Sequence, residues 1–175
     1  MIFLYEKLVK LTKKKIKNYC NITSEENKIE KYIFYSFEYT FFFLLGCLFF
    51  YKKDWLYDLS LICEKKLTLK IFIYYYLYII RYIVQLNMLD PKEKDYLSMK
   101  VHHISTLSLL GLSFINYHRL GVLIGIAHDF SDIFLNIAKA CNKIYEFRNI
   151  KVCDYLSYIF FIIFLVSYFI TRIIF

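Results

Sequence analysis

Five long apolar stretches, at about 33–51, 67–89, 99–117, 120–140 and 153–175, leave this chain few ways to fold. A helix needs about 20 mostly apolar residues to cross a bilayer. Within the hydrocarbon only helices and closed barrels satisfy every backbone group. The segments between the stretches are too short to hold a soluble domain, and one Pro and four Gly in 175 residues leave few helix breakers. The expected fold is therefore all-α, a polytopic membrane protein of about five transmembrane helices. The connector at 52–66, with Trp55, is expected at the interface, and 90–95 and 142–151 are expected as polar, charged links. A tight turn is expected at His118-Arg119.

Charge sets the orientation. Lys7, Lys10, Lys13, Lys14, Lys15, Lys17, Lys28 and Lys31 crowd the N-terminal end, part of a formal net charge of +8. The segment 1–30 reads as basic and cytosolic, with no signal peptide, since the apolar run at 1–11 is short and broken by Glu6 and Lys7. With that end in the cytosol, Lys92, Lys94, Lys100, Lys139, Lys143, Arg148 and Lys151 fall on the same side. Only Lys52, Lys53, Lys65, Lys66 and Arg119 fall opposite, so positive-inside counting agrees. A nucleic-acid partner is not expected: that reading needs a folded basic surface with base-reading or stacking groups, and here the lysines sit just before a membrane segment, where topology explains them. The five Cys show no CxxC spacing and read as small core residues without metal or disulfide. The sequon Asn21-Ile22-Thr23 falls on the cytosolic side and is discounted.

The third and fourth stretches break the membrane pattern. They carry His102-His103, Thr106, Ser113 and Asn116, then His128-Asp129, Ser131-Asp132, Asn136 and Lys139. Ionisable groups at bilayer depth are costly, and those retained usually face the bundle interior and act there. At about 100° per residue each helix gathers these residues into one stripe. The turn near 118 would make the helices antiparallel neighbours, with Thr106 and Asp132 both about 20 Å from it at about 1.5 Å per residue. Imidazoles and carboxylates are thus expected to meet nearer the basic end. Thr106, Ser113 and Asn116 also suit interhelical hydrogen bonding, and Gly111, Gly121 and Gly125 suit close helix approach. Glu38 and Arg81 lie at membrane depth, paired or snorkelling, and Tyr74-Tyr75-Tyr76 reads as interfacial or packing.

These residues resemble the Lag1 motif of ceramide synthases, within the TLC (TRAM, Lag1, CLN8) group. The motif positions here are Lys94-Asp95, Met99, His102-His103, Thr106, Ser113-Phe114, Arg119-x-Gly121, His128-Asp129, Ser131-Asp132, Leu135 and Ala138-Lys139. Val152-Cys153-Asp154 and Thr171-Arg172 are similar too. Phe114 stands where the family has Tyr, Asn136 where it commonly has Glu, Glu93 where Arg is usual, and Phe37-Glu38 where it has Trp-Arg. The resemblance implies a TLC domain over 31–175, with the Lag1 motif at about 94–145. It also implies that the domain is incomplete, since the family's six-helix barrel has a first and a last helix not found in these five spans.

The resemblance further implies transfer of a fatty acyl group from acyl-CoA to the amine of a sphingoid long-chain base, in the endoplasmic reticulum membrane. Acyl-CoA is then a co-substrate, with no bound cofactor and no metal. His102 or His103 would act as base or as a nucleophile carrying the acyl group, and Asp129 and Asp132 would orient and charge-balance the imidazoles. Thr106, Ser113, His128, Asn136, Lys139 and Lys94 would line the substrate side, with Lys143, Arg148 and Lys151 near the CoA phosphates. Membrane lipids and a homo- or hetero-dimer partner complete the expected contacts. A di-iron histidine-box enzyme needs many histidines at ligand spacing, and this chain has only His102, His103, His118 and His128. The alternative outside enzymology is a non-catalytic, lipid-binding TLC protein or inactive fragment.

Overall fold

The computed structural model describes residues 1–23, 26–56, 61, 67–93 and 96–171. Among them are six α-helices and no strand: α1 (Ile2–Tyr19), α2 (Asn27–Phe50), α3 (Leu69–Asn87), α4 (Tyr96–Asn116), α5 (His118–Arg148) and α6 (Lys151–Phe169). A 3-10 turn, Asp54–Leu56, follows α2. The fold is all-α and polytopic. Four helices, α2, α3, α5 and α6, are long and apolar enough to cross a membrane. Helix α4 has the length, at 21 residues, but Lys100, His102, His103, Asn116 and its Ser and Thr residues hold its hydropathy down. The polar residues singled out in the sequence are those that lower it.

The helix ends show why the elements stop where they do. Helix α1 closes in a Schellman motif. Asn21 is left-handed at φ 49°, Ile22 N–H reaches the Lys17 carbonyl at 2.9 Å, and Asn21 N–H reaches that of Asn18 at 3.4 Å. Thr68, in extended conformation, accepts from Ile71 N–H at 3.5 Å and caps α3. Asn149 is left-handed at φ 52°, and its N–H closes α5 on the Tyr145 carbonyl at 2.8 Å.

Two sequence expectations shift. The break expected at His118-Arg119 is the single residue Tyr117, and His118 and Arg119 open α5 as buried residues. The charged stretch from 142 is helical to Arg148, because Lys143 pairs with Glu146 one turn on and Asn142 donates to Glu146 at 3.2 Å. Trp55, just past the end of α2, is buried on the Phe50 ring, with centroids 5.4 Å apart. Most of the expected connector beyond Leu56, including Lys65 and Lys66, lies outside the described residues.

The chain forms two compact units, Met1–Leu8 with Phe49–Ile124, and Val9–Leu48 with Gly125–Phe175. In the first, α3 packs on α4. Tyr74, Tyr75, Tyr78, Arg81, Tyr82 and Gln85 of α3 are all buried, a polar stripe at helical spacing. In the second, the Ser157 hydroxyl of α6 donates to the Ala138 carbonyl of α5 at 3.1 Å, and Phe43 of α2 packs on Phe130 of α5 with centroids 5.3 Å apart.

Outside the spans, Arg148 ties the end of α5 to the α1–α2 turn. It donates to Glu26 at 2.9 and 3.2 Å and to the carbonyls of Cys20 and Asn21 at 3.1 and 3.2 Å. Glu26 also accepts from the Thr23 N–H at 2.9 Å. The Arg148 guanidinium and this N–H hold the Glu26 carboxyl down at about 2.

Candidate functional site

The first unit carries the histidines. His103 is buried and His102 half-buried on consecutive positions of α4, their ring centroids 5.6 Å apart. The Tyr82 ring of α3 meets His103 at 5.5 Å and an interplanar angle of 62°. Edge-on aromatic contact of this kind fixes a ring's orientation. Arg81 is fully buried, its guanidinium 5.2 Å from the Tyr78 ring centroid and 5.5 Å from that of Tyr82. It does not snorkel, and neither does buried Glu38. The cation–π stacking on two rings offsets part of the desolvation of its charge.

A second polar group closes the far end of α4. The Tyr75 hydroxyl lies 2.9 Å from the Ser113 hydroxyl and donates to the His118 carbonyl at 3.1 Å. Gly121 is what permits this. A Cβ there would overlap the Tyr75 oxygen and lie 2.6 Å from that of Ser113. Gly111 plays no such part, since a Cβ there meets nothing within 4 Å. Arg119 donates to the Leu61 carbonyl. Thr106 donates to the His102 carbonyl at 2.8 Å, one turn back, and Ser113 also reaches the Leu110 carbonyl at 3.1 Å. Both are thus engaged within their own helix.

The second unit carries the carboxylates, all on α5. Asp129 and Ser131 are fully inaccessible, Asn136 is buried, and His128, Asp132 and Lys139 are half-buried. Ser131 donates to the His128 carbonyl at 2.9 Å, and the Asn136 amide donates to the Asp132 carbonyl at 2.8 Å. Lys139 stands over the Tyr32 ring of α2 at 5.6 Å. Lys94, Asp95 and Arg172 lie outside the described residues. Among the described residues no group of three or more His, Cys, Asp or Glu is arranged to hold a metal ion.

Sequence reasoning missed the contribution of α3. Tyr75, Arg81 and Tyr82 sit in an apolar run, and tyrosines there read as interfacial decoration. The usable signal was their helical spacing around an arginine.

The pattern of the TLC domain matches residues 9–175. The chain belongs to the TLC-domain family. Among similar proteins, ceramide synthase 3 of Mus musculus is 31% identical over 183 residues, 97% of this chain and 47% of that protein. Ceramide synthase 3 of Homo sapiens is 35% identical over 130 residues, 70% of this chain and 33% of that protein. Ceramide synthase hyl-1 of Caenorhabditis elegans is 32% identical over 130 residues, 70% of this chain and 35% of that protein. The chain spans less than half the length of these relatives. Its TLC-domain helices include both the paired histidines of α4 and the His-Asp-x-x-Asp run of α5.

Proposed function

We propose that this TLC domain carries the acyl-transfer chemistry of a sphingoid-base N-acyltransferase in the endoplasmic reticulum membrane. The observation that supports it most is the pair His102-His103 on α4, with the His103 ring fixed by Tyr82. The nitrogen of a long-chain base attacks the thioester carbonyl of a fatty acyl-CoA. A C–N bond forms, the C–S bond breaks, and CoA leaves as a thiolate. The amine's proton passes to an imidazole and from it to the departing sulfur. His102, the more accessible of the two, takes the substrate-facing part as base. In the two-step alternative its nitrogen first displaces the CoA thiolate to form an acyl-imidazole, and the amine then attacks that carbonyl and releases the imidazole. By the family resemblance, Asp129 and Asp132 balance the imidazolium charge, in the manner of a buried carboxylate behind a catalytic histidine. Lys139, with Lys94, Lys143 and Lys151, gives the CoA phosphates a cationic approach. Thr106 and Asn136, engaged with their own helices, shape the site instead of holding substrate.

Membranes expressing the chain, given labelled long-chain base and a panel of acyl-CoAs, test this. Ceramide forms, and His102→Ala, His103→Ala and Asp132→Ala each lower the rate by at least about a hundredfold with expression unchanged, the usual cost of losing acid–base catalysis. No ceramide from well-expressed chain, with labelled base still bound, leaves lipid binding as the function.

A further inference from the structure

Helix α1 has three faces. Val9 and Ile16, two turns apart, share one side, where they are buried and half-buried. Leu4, Leu8, Leu11 and Tyr19 share a second side at helical spacing, with Lys15 standing in the same row between Leu11 and Tyr19. The three leucines and Tyr19 are 65, 56, 53 and 91% exposed. Lys7, Lys10 and Lys14 recur at intervals of three and four along the third side, also at the surface. Two further lysines lean on α2: Lys13 lies over the Phe34 and Tyr35 rings at 5.3 and 5.4 Å, and Lys17 donates to Asn27 at 3.0 Å. A helix with protein on one side, bare leucines on the second and lysines on the third belongs in the plane of a membrane surface.

Beside it, a cleft of about 790 Å³ runs between α1 and α2, lined by Lys15, Ile16, Asn18, Tyr19, Ile33 and Phe37. That is the size of a small-molecule site. Its walls are apolar apart from Lys15 and Asn18 near the α1 end. Phe37 lies ten positions into α2, about 15 Å along its axis. The cleft is open to its surroundings and sets a cationic edge beside an apolar floor, along a helix long and apolar enough to cross the bilayer. Helix α1 has six Lys against one Glu; Glu30 of α2 faces only Lys13 and Lys17 among them, and the nearby Glu26 is already engaged by Arg148. The excess positive charge calls for anions from outside the protein.

We propose that α1 lies in the headgroup layer, and that the α1–α2 cleft seats one acyl chain of an anionic phospholipid with its phosphate against Lys15 and Asn18. The leucine face enters the upper acyl region, and Lys7 and Lys14 face neighbouring headgroups. Juxtamembrane lysines attract anionic lipid, each by about fivefold. The site is independent of the acyl-transfer reading, since none of its residues belongs to that chemistry.

The test uses the full chain in nanodiscs of equal phosphatidylcholine and phosphatidylserine, transferred to mild detergent, with retained lipid counted by native mass spectrometry. About one phosphatidylserine per chain is retained, in preference to phosphatidylcholine. Lys15→Gln lowers that preference by about fivefold, and Lys15→Glu abolishes it. Lys53→Gln, an exposed lysine elsewhere, leaves it unchanged. Lys15 is exposed, so these charge variants do not threaten folding. Ile33→Trp, which fills the cleft, removes both lipids while thermal unfolding shows the fold intact. Retention in the bulk lipid ratio overturns the proposal, as does a phosphatidylserine preference that survives Lys15→Glu.

Discussion

Helices α3 and α6 each have 19 residues and each is apolar enough to cross a bilayer, yet they are built for different neighbours. Half of the most apolar window of α3 is buried, against 6% of that of α6. The less apolar of the two, with mean hydropathy 1.2 against 1.9, is the one turned toward protein. In water the opposite holds, because there the greasier face is hidden. Lipid is as apolar as leucine, so a membrane helix hides what lipid rejects: tyrosine hydroxyls, an amide, a guanidinium. Helix α3 contributes Tyr75, Arg81, Tyr82 and Gln85, and α6 among its described residues buries Ser167.

The sharpest way to break that contrast is Arg81→Ala. It empties a fully buried site and removes the stacking on Tyr78 and Tyr82. A loss of about 3 kcal/mol is expected, seen as a large fall in thermal midpoint of the detergent-solubilised protein. Next, Gly121→Ala pushes a methyl into the Tyr75 and Ser113 hydroxyls at a cost of about 1–3 kcal/mol. Tyr75→Phe removes the nearest clashing oxygen, so the double variant is expected to lose less than the sum of the singles. A non-additive cycle by thermal unfolding reads this.

Smaller still is a pH effect outside the spans. The folded Glu26 carboxyl titrates at about 2 instead of 4.5. Its depressed value means a contribution fully present above pH 4.5 and lost as the pH falls through the folded value. Wild type minus Glu26→Gln in thermal midpoint is therefore expected to be flat from about pH 7 to 5 and to shrink below about 4.5. The smallest effects belong to α6. Ile162→Val and Val166→Ile, on its 60% and 56% exposed positions, are expected to stay within about 0.5 kcal/mol. A larger loss at either would show that this face meets protein.

The spans at 33–51, 67–89 and 99–117 were legible because long apolar runs have few other uses, and α2, α3 and α4 overlie them within a few residues at most ends. Helix α1 was hidden because six lysines in 18 residues swamp its apolar half, which emerges only on a helical wheel. The end of α5 was hidden because charged residues read as a link until Lys143 and Glu146 pair across one turn. Of the candidate site, His102, His103, Asp129 and Asp132 stood out as polar groups where polarity is expensive. The roles of Gly111 and Gly121 were indistinguishable, because clearance at a glycine depends on what another helix places there.

Helix α5 has 31 residues, so it is about 46 Å long, against a hydrocarbon layer of about 30 Å. A tilt of about 20° shortens its reach by only about 3 Å. Roughly ten residues must therefore stand clear of the oil, and the run from Lys139 to Arg148 has the composition to do so. It forms a post whose tip Arg148 fastens to the α1–α2 turn, so bilayer thickness sets the height of both. In a thinner membrane the post rises, and in one thickened by sterol it sinks by a few ångströms. The chain thus carries its own gauge of the membrane in which it sits.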